Sequence, residues 1–335
     1  MFIFPPQKYF SQSHASTLTQ LDDGRILAAW FAGTRETHPD TAIWMSCLEP
    51  GDKEWSPPHV VAKISDTAHW NPVLFNCDKK TYLYFKVGQR ISSWVTYVME
   101  FDGNKWSDLK ELVAGQINRG PVRSKPIVLS NGDWIAPSSV EQTINYNMFS
   151  PNDVIWKAFV DISCDCGKTW EKSGLIDFNR TKFGIHGKYG GVIQPCLWES
   201  SNGNVHMLLR STAGYVFKSD SCDYGRTWSD AYPTKFFNNN SAIDVVKKSD
   251  NLLVLALNPV SGNWAARTPL SVYLLIGDEK DWNDEYYHDL ESEQGSYCYP
   301  SLTVLNDGSV GMTYTWNRVS IQFKIIKKEK FDYFL

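Results

Sequence analysis

Short apolar runs, each introduced by a polar turn, recur along the whole chain. They read LDDGRILAAW (21–30), NCDKKTYLYF (76–85), LSNGDWIAPS (129–138), SSNGNVHMLL (200–209), KSDNLLVLAL (248–257) and LNDGSVGMTY (305–314). Asn-Gly, Asp-Gly and related pairs accept positive φ at both central turn positions, so each of these six segments predicts the turn and returning strand of a hairpin. A second unit follows most of them: a strand, a tight polar turn and a tryptophan, at Trp55, Trp106, Trp170, Trp228 and Trp282. Two of these turns repeat almost verbatim, SCDCGKTW at 163–170 and SCDYGRTW at 221–228. The sixth unit continues past Arg318 as VSIQFKIIKKEKF, a strand with no closing tryptophan. No capped amphipathic stretch longer than two helical turns is evident.

Two hairpins per unit make a four-stranded antiparallel sheet, and about fifty residues per unit is the size of a propeller blade. The expected fold is all-β: a single domain over residues 1–335 forming a six-bladed β-propeller, with seven blades as the alternative if an insertion hides a further sheet. In the octapeptides Asp165 and Asp223 are expected to accept backbone N–H bonds inside their turns. The glycine takes positive φ and the tryptophan packs between strands. They read as fold staples rather than as catalytic groups.

The composition supports this. The 335 residues include 14 Trp, 16 Tyr and 17 Phe, types that suit half-buried pleated surfaces. A formal charge of -4 gives no reason to expect a nucleic-acid partner, and no apolar run approaches the length of a membrane-spanning helix. Seven scattered cysteines predict reduced thiols. Cys164 and Cys166 have no His/Cys pair at ligand spacing, so neither a metal nor a cofactor is expected. The amino terminus, MFIFPPQKYF, has no basic or apolar signal region, from which a cytoplasmic location is expected, with the protein a monomer or weak homo-oligomer.

With these repeats in hand, the chain resembles the Asp-box or BNR-repeat superfamily, whose best-known members are sialidases. That resemblance implies a carboxylate clamp of three arginines, a nucleophilic tyrosine, a glutamate that activates it and an aspartate acid/base. QPCLWESSNGNVHMLLRS resembles the segment ending in the second arginine, here Arg210. LNPVSGNWAARTPLSVYLL carries the third, Arg267, and YCYPSLTVLNDGS carries the nucleophile, Tyr299, with Tyr297 as its rival on the same strand face. The other three positions depart from the pattern. His14 falls where the first arginine is expected, Gln194 where the activating glutamate is, and Ala32 and Gly33 where the aspartate is, with Glu36 and Asp40 nearby but out of register. The pattern HAST, GTRETHPDTAIW, RGPVRSKP, IQP and YPS is similar to a separate branch, related to propellers that act on uronate-containing polysaccharides.

Both readings need an anionic sugar, because arginine offers a planar charged fork that matches a carboxylate. The expected partner is therefore an acidic oligosaccharide or glycoconjugate. The expected substrate-binding residues are Arg35, Asn71, Arg119, Lys125, Arg210, Asp244, Arg267 and Arg318, with Arg123 and Asn240 as further candidates. The expected catalytic residues are His14, Tyr299, Asp40 and Gln194. In a hydrolase, favoured here, Tyr299 attacks the anomeric carbon, and His14, Asp40 or Glu141 supplies the base that Gln194 cannot. In a lyase, His14 or Tyr299 removes the proton beside a uronate carboxylate, and the other, or His186, protonates the leaving oxygen. A third reading is a carbohydrate-binding propeller without catalysis. Trp44, Trp94, Trp264 and Trp316 are expected to be packing residues, with one serving as a sugar platform.

Overall fold

The structure, a computed structural model, describes residues 1–144, 153–185, 189–277 and 282–331. His186 lies outside them. Among the described residues the secondary structure is all β apart from two 3-10 turns of three residues each, and no helix is long and apolar enough to cross a membrane.

Among the described residues the strands form five sheets, none of which closes on itself. Three are four-stranded antiparallel meanders: Gln12–Gln20 to His59–Ala62, His69–Cys77 to Lys110–Glu111, and Asp244–Ser249 to Asn283–Glu291. One is three-stranded, from Tyr297–Val304 to Ser320–Ile326, and one is eight-stranded. In every repeat recognised in the sequence the apolar run is a strand: Ile26–Gly33, Lys80–Val87, Trp134–Ile144, Val205–Ser211, Leu252–Leu257 and Val310–Trp316.

Two departures from a simple row of repeats have local causes. The eight-stranded sheet fuses the third and fourth units, because Asp153–Ser163 and Tyr189–Glu199 pair in parallel from Val154↔Tyr189 to Trp156↔Gly191. The approach is close: a Cβ on Gly191 would lie 2.3 Å from the carbonyl oxygen of Trp156, so only glycine fits. The three-stranded sheet, which the sequence leaves without a closing tryptophan, is extended by the amino terminus. Ile3 N–H donates to the Ile321 carbonyl at 2.9 Å and Phe323 N–H to the Met1 carbonyl at 2.8 Å. Ile3 and Phe4 are buried there in one cluster with Trp30 and Phe323.

Apolar side chains from neighbouring sheets fill the spaces between them. Leu27, Ala29 and Phe31 share a cluster with Leu74, Leu83 and Phe85. Burying each of the larger side chains contributes about 1.5–3 kcal/mol.

The feature that builds the site is a bulge repeated in the first strand of several of the repeated units. The register shifts between His14 and Thr17, Trp70 and Val73, Ile193 and Cys196, and Cys298 and Ser301. Each shift holds a residue at left-handed φ: Ala15 at 53°, Asn71 at 37°, Gln194 at 53° and Tyr299 at 58°. A bulge of this kind turns a side chain out of the alternation of its strand. Gly120 and Asn240, at 67° and 60°, lead into the corresponding segments of the remaining two units.

Candidate active site

Three of these turned-out side chains, Asn71, Gln194 and Tyr299, line one cleft of about 140 Å³. Arg210, Arg267 and Arg318 line it too, with Glu36, Glu141, Ser139, Trp70, Trp94, Trp156, Tyr189 and Trp264. Arg210 comes from the strand Val205–Ser211, whose partner strand carries Gln194. Arg318 sits in the tight turn between the last two strands, where Asn317 and Arg318 both have positive φ.

Arg210 is the centre of the polar network. Its Nη1 donates to the Tyr299 hydroxyl at 2.9 Å and to Gln194 Oε1 at 3.0 Å, and its Nε donates to Asn240 Oδ1 at 2.8 Å. The guanidinium faces the rings of Trp156 at 5.1 Å and Trp264 at 5.7 Å. Arg267 lies 5.6 Å from the Tyr299 ring centre and donates to Cys298 Sγ at 3.1 Å. Arg318 pairs with Glu36 at 2.6 Å. Tyr299 therefore has a hydroxyl oxygen that already accepts from a cation.

Glu141 is a carboxylate of the cleft that holds its proton more tightly than usual. Burial pushes its pKa up, against the downward pull of Arg210. A carboxyl that keeps its proton to higher pH is suited to act as an acid.

His14 lies behind Tyr299 rather than in the cleft. It is 1% exposed, and its ring centre is 4.1 Å from that of Tyr299. Ala15 N–H donates to Thr315 Oγ1 at 3.1 Å, and the same hydroxyl meets His14 Nδ1 at 2.9 Å. Burial, and then Arg318, Arg267, Arg123 and Arg210, hold His14 well below the usual histidine range, so its imidazole is neutral at physiological pH.

The remaining expected residues are placed elsewhere. Arg119 is buried in an ion pair with Asp161 at 2.6 Å and donates to the Trp170 carbonyl at 2.9 Å. Lys125 and Asp244 line a different cavity, of about 330 Å³. There Lys125 Nζ donates to Ser301 Oγ at 2.9 Å, the Leu302 carbonyl at 2.6 Å and Asp244 at 3.4 Å, which uses the capacity of its ammonium group. Asp40 is exposed and closes its own loop, accepting from Thr34 N–H at 3.1 Å and Thr34 Oγ1 at 2.6 Å and pairing with His38 at 2.8 Å. Arg35 is exposed on the same loop and does not line the cleft. Asn240, expected to meet sugar hydroxyls, instead supports Arg210.

Trp70, Ser139, Trp156 and Tyr189 line the cleft without having been singled out from the sequence. The adjacent Gly190 and Gly191 mark a close backbone approach, which the structure assigns to Trp156; nothing in the sequence singles out Ser139. The two octapeptide turns are built alike. Asp165 and Asp223 each accept from a threonine N–H at 2.8 Å and a threonine hydroxyl at 2.6 Å, and the tryptophan Nε1 donates to the glycine carbonyl.

Comparison with known proteins adds a family and a fold. A family described as BNR repeat-like domain matches residues 24–312. No curated protein matches the chain. Among solved structures, the K499G mutant of NanB sialidase from Streptococcus pneumoniae is similar at 14% identity, with 96% of this chain and 69% of that chain covered and a TM-score of 0.73. An unknown function protein from Dyadobacter fermentans is similar at 16% identity, with 97% and 96% covered and a TM-score of 0.74. The intramolecular trans-sialidase from Ruminococcus gnavus, in complex with oseltamivir carboxylate, is similar at 15% identity, with 98% and 97% covered and a TM-score of 0.72. At these identities the likeness is one of fold.

Proposed function

Because the chain belongs to the BNR repeat-like domain family, which spans residues 24–312, we propose that it is a sialidase-like glycoside hydrolase releasing a terminal acidic sugar. The observation that carries this reading is the bond from Arg210 to the Tyr299 hydroxyl, in a cleft shared with Arg267 and Arg318. Three guanidinium groups face two carboxylates there, and one of those carboxylates, Glu36, is already paired with Arg318. A ligand carrying a carboxylate answers that excess of positive charge. A cleft of about 140 Å³ is sized for one sugar ring rather than for a length of polymer.

In this reading Tyr299 Oη bonds to the anomeric carbon as the glycosidic bond breaks. Arg210 stabilises the charge that develops on the phenol oxygen. Glu141 gives its proton to the leaving oxygen, and the phenol proton passes to solvent. Water then attacks the anomeric carbon and returns a proton to Tyr299, giving the free sugar. A tyrosine nucleophile suits an anomeric centre flanked by a carboxylate, which repels a charged attacker.

Six blades are the architecture proposed here. The supporting pattern is the left-handed residue that recurs once per unit, at Ala15, Asn71, Gly120, Gln194, Asn240 and Tyr299. The eight-stranded sheet then counts as two adjoining blades, and the amino terminus completes the last.

Elimination beside a uronate is the second reading, drawing on the contact between His14 and Tyr299. The burial of His14 behind the tyrosine weighs against it, since His14 does not line the cleft. A product assay on sialosides and uronate-terminated oligosaccharides separates the two. Free sugar with one water added, lost in Tyr299→Phe, supports hydrolysis. An unsaturated product without added water means elimination, and binding without any product means a lectin-like module.

A further inference from the structure

The three arginines of the cleft differ in how much of each guanidinium is open to a ligand. Arg210 uses Nε on Asn240 and Nη1 on Tyr299 and Gln194, and among the described residues no group accepts from its Nη2. Arg267 donates through Nη1 to Cys298 Sγ, and no described group accepts from its Nε or Nη2. Arg318 is different. Its Nη1 lies 2.6 Å from Glu36 Oε2, so a carboxylate of the protein already answers its charge.

Glu36 is held in that place by its loop. Its N–H donates to Gln12 Oε1 at 3.3 Å, and Asp40 closes the loop by accepting from Thr34 N–H and Thr34 Oγ1. From beside the next sheet, Gln89 Nε2 donates to the Thr37 carbonyl at 2.8 Å. The Arg318 carbonyl accepts from Ser13 N–H at 2.8 Å, which fixes the other partner. The field of Glu36 extends to Arg267. Burial lowers the pKa of that arginine, yet neighbours that include Glu36 raise it on balance. Once Glu141 is ionised, the three arginines set against Glu36 and Glu141 leave one net positive charge in the cleft. A carboxylate matches that charge, and a dianion meets the repulsion of Glu36.

We propose that Glu36 is a specificity-determining residue: it occupies Arg318 and limits the cleft to a sugar with one negative charge, a carboxylate rather than a phosphate monoester. The carboxylate meets Arg210 through Nη2 and Arg267 through Nε or Nη2. This deepens the hydrolase reading and rests on it for calling that sugar a substrate.

The test is one of binding. N-acetylneuraminate and glucuronate are each compared by calorimetry with the analogue whose carboxylate is replaced by a phosphonate, at pH 8, where the phosphonate carries two charges. Wild type should hold each carboxylate about tenfold more tightly than its phosphonate. Glu36→Gln should bring the two within about twofold, and Glu36→Asp should keep the preference. Arg318→Gln leaves Glu36 unpaired beside the clamp and should weaken carboxylate binding about tenfold, whereas a pair that only ties two loops together would leave it unchanged. An unchanged preference in a folded Glu36→Gln would overturn the proposal. So would full carboxylate affinity in Arg318→Gln, or no binding of either carboxylate to wild type. If Glu36→Gln does not fold, the wild-type preference and Arg318→Gln decide the matter. A preference that depends on Glu36 in a protein releasing no sugar would keep this proposal and discard the hydrolase, and turnover without the preference would do the reverse.

Discussion

Arg210 Nη1 lies 2.9 Å from the Tyr299 hydroxyl, and the two residues reach each other from different sheets. The donor sits where negative charge develops if the phenol oxygen attacks. Arg210→Lys keeps a charge but loses the fork that also holds Gln194 and Asn240. We expect kcat to fall about a hundredfold, the usual cost of removing one such donor. Tyr299→Phe should lose activity altogether while its Tm stays close to wild type. Steady-state kinetics beside thermal unfolding checks both, and a Tyr299→Phe variant that still turns over would remove the nucleophile from this account.

Glu141 gives a prediction in pH. Its folded pKa is raised by burial, so the protonated acid persists above the usual glutamate range. If it protonates the leaving oxygen, kcat should fall as pH rises through that raised value. Glu141→Gln should lower kcat about a hundredfold and flatten that limb of the profile. A Gln variant that keeps the wild-type profile would assign the limb to another group.

The octapeptide turns should separate stability from catalysis. The Thr169 hydroxyl and N–H, with Ser163, pull Asp165 down to about 2, the mark of a carboxylate consumed by its own turn. Asp165→Ala and Asp223→Ala are expected to lower Tm by a few degrees and to leave kcat/KM within about twofold of wild type. Loss of activity in a well-folded variant would count against the structural role.

Much of this was legible in the chain because hairpins are local. Turn residues with positive φ and the tryptophans that close them lie a few residues apart, so the apolar run of all six repeats could be read as a strand. What escaped depends on distant partners. The pairing of Ile3 with Ile321 spans nearly the whole chain, and no turn announces it. Arg119 and Arg210 look alike in sequence, yet one meets Asp161 inside a buried network and the other meets Tyr299. The bulges that turn out Asn71, Gln194 and Tyr299 were equally hidden. Only Gly120 among the six left-handed residues is a glycine, so composition does not mark the strain.

His69 supports the last prediction, and its geometry fixes its protonation state. Ile64 N–H donates to its Nε2 at 2.8 Å, so that nitrogen must be an acceptor. Its Nδ1 lies 2.8 Å from the Thr67 carbonyl and therefore carries the proton. The ring is neutral, and adding a proton breaks the bond to Ile64. Burial accordingly pushes its pKa down to about 4, from about 6.5 in an unfolded chain. Between these values the unfolded state binds more protons than the folded one, so stability must rise with pH. The contribution is complete above pH 6.5 and is lost as pH falls towards 4, a change on the order of 3 kcal/mol. His14, also depressed by burial, acts in the same direction. Urea unfolding at pH 7.5 and pH 5 should show the loss, and His69→Gln should show a smaller one. An equal loss in wild type and His69→Gln would place the acid sensitivity in other groups.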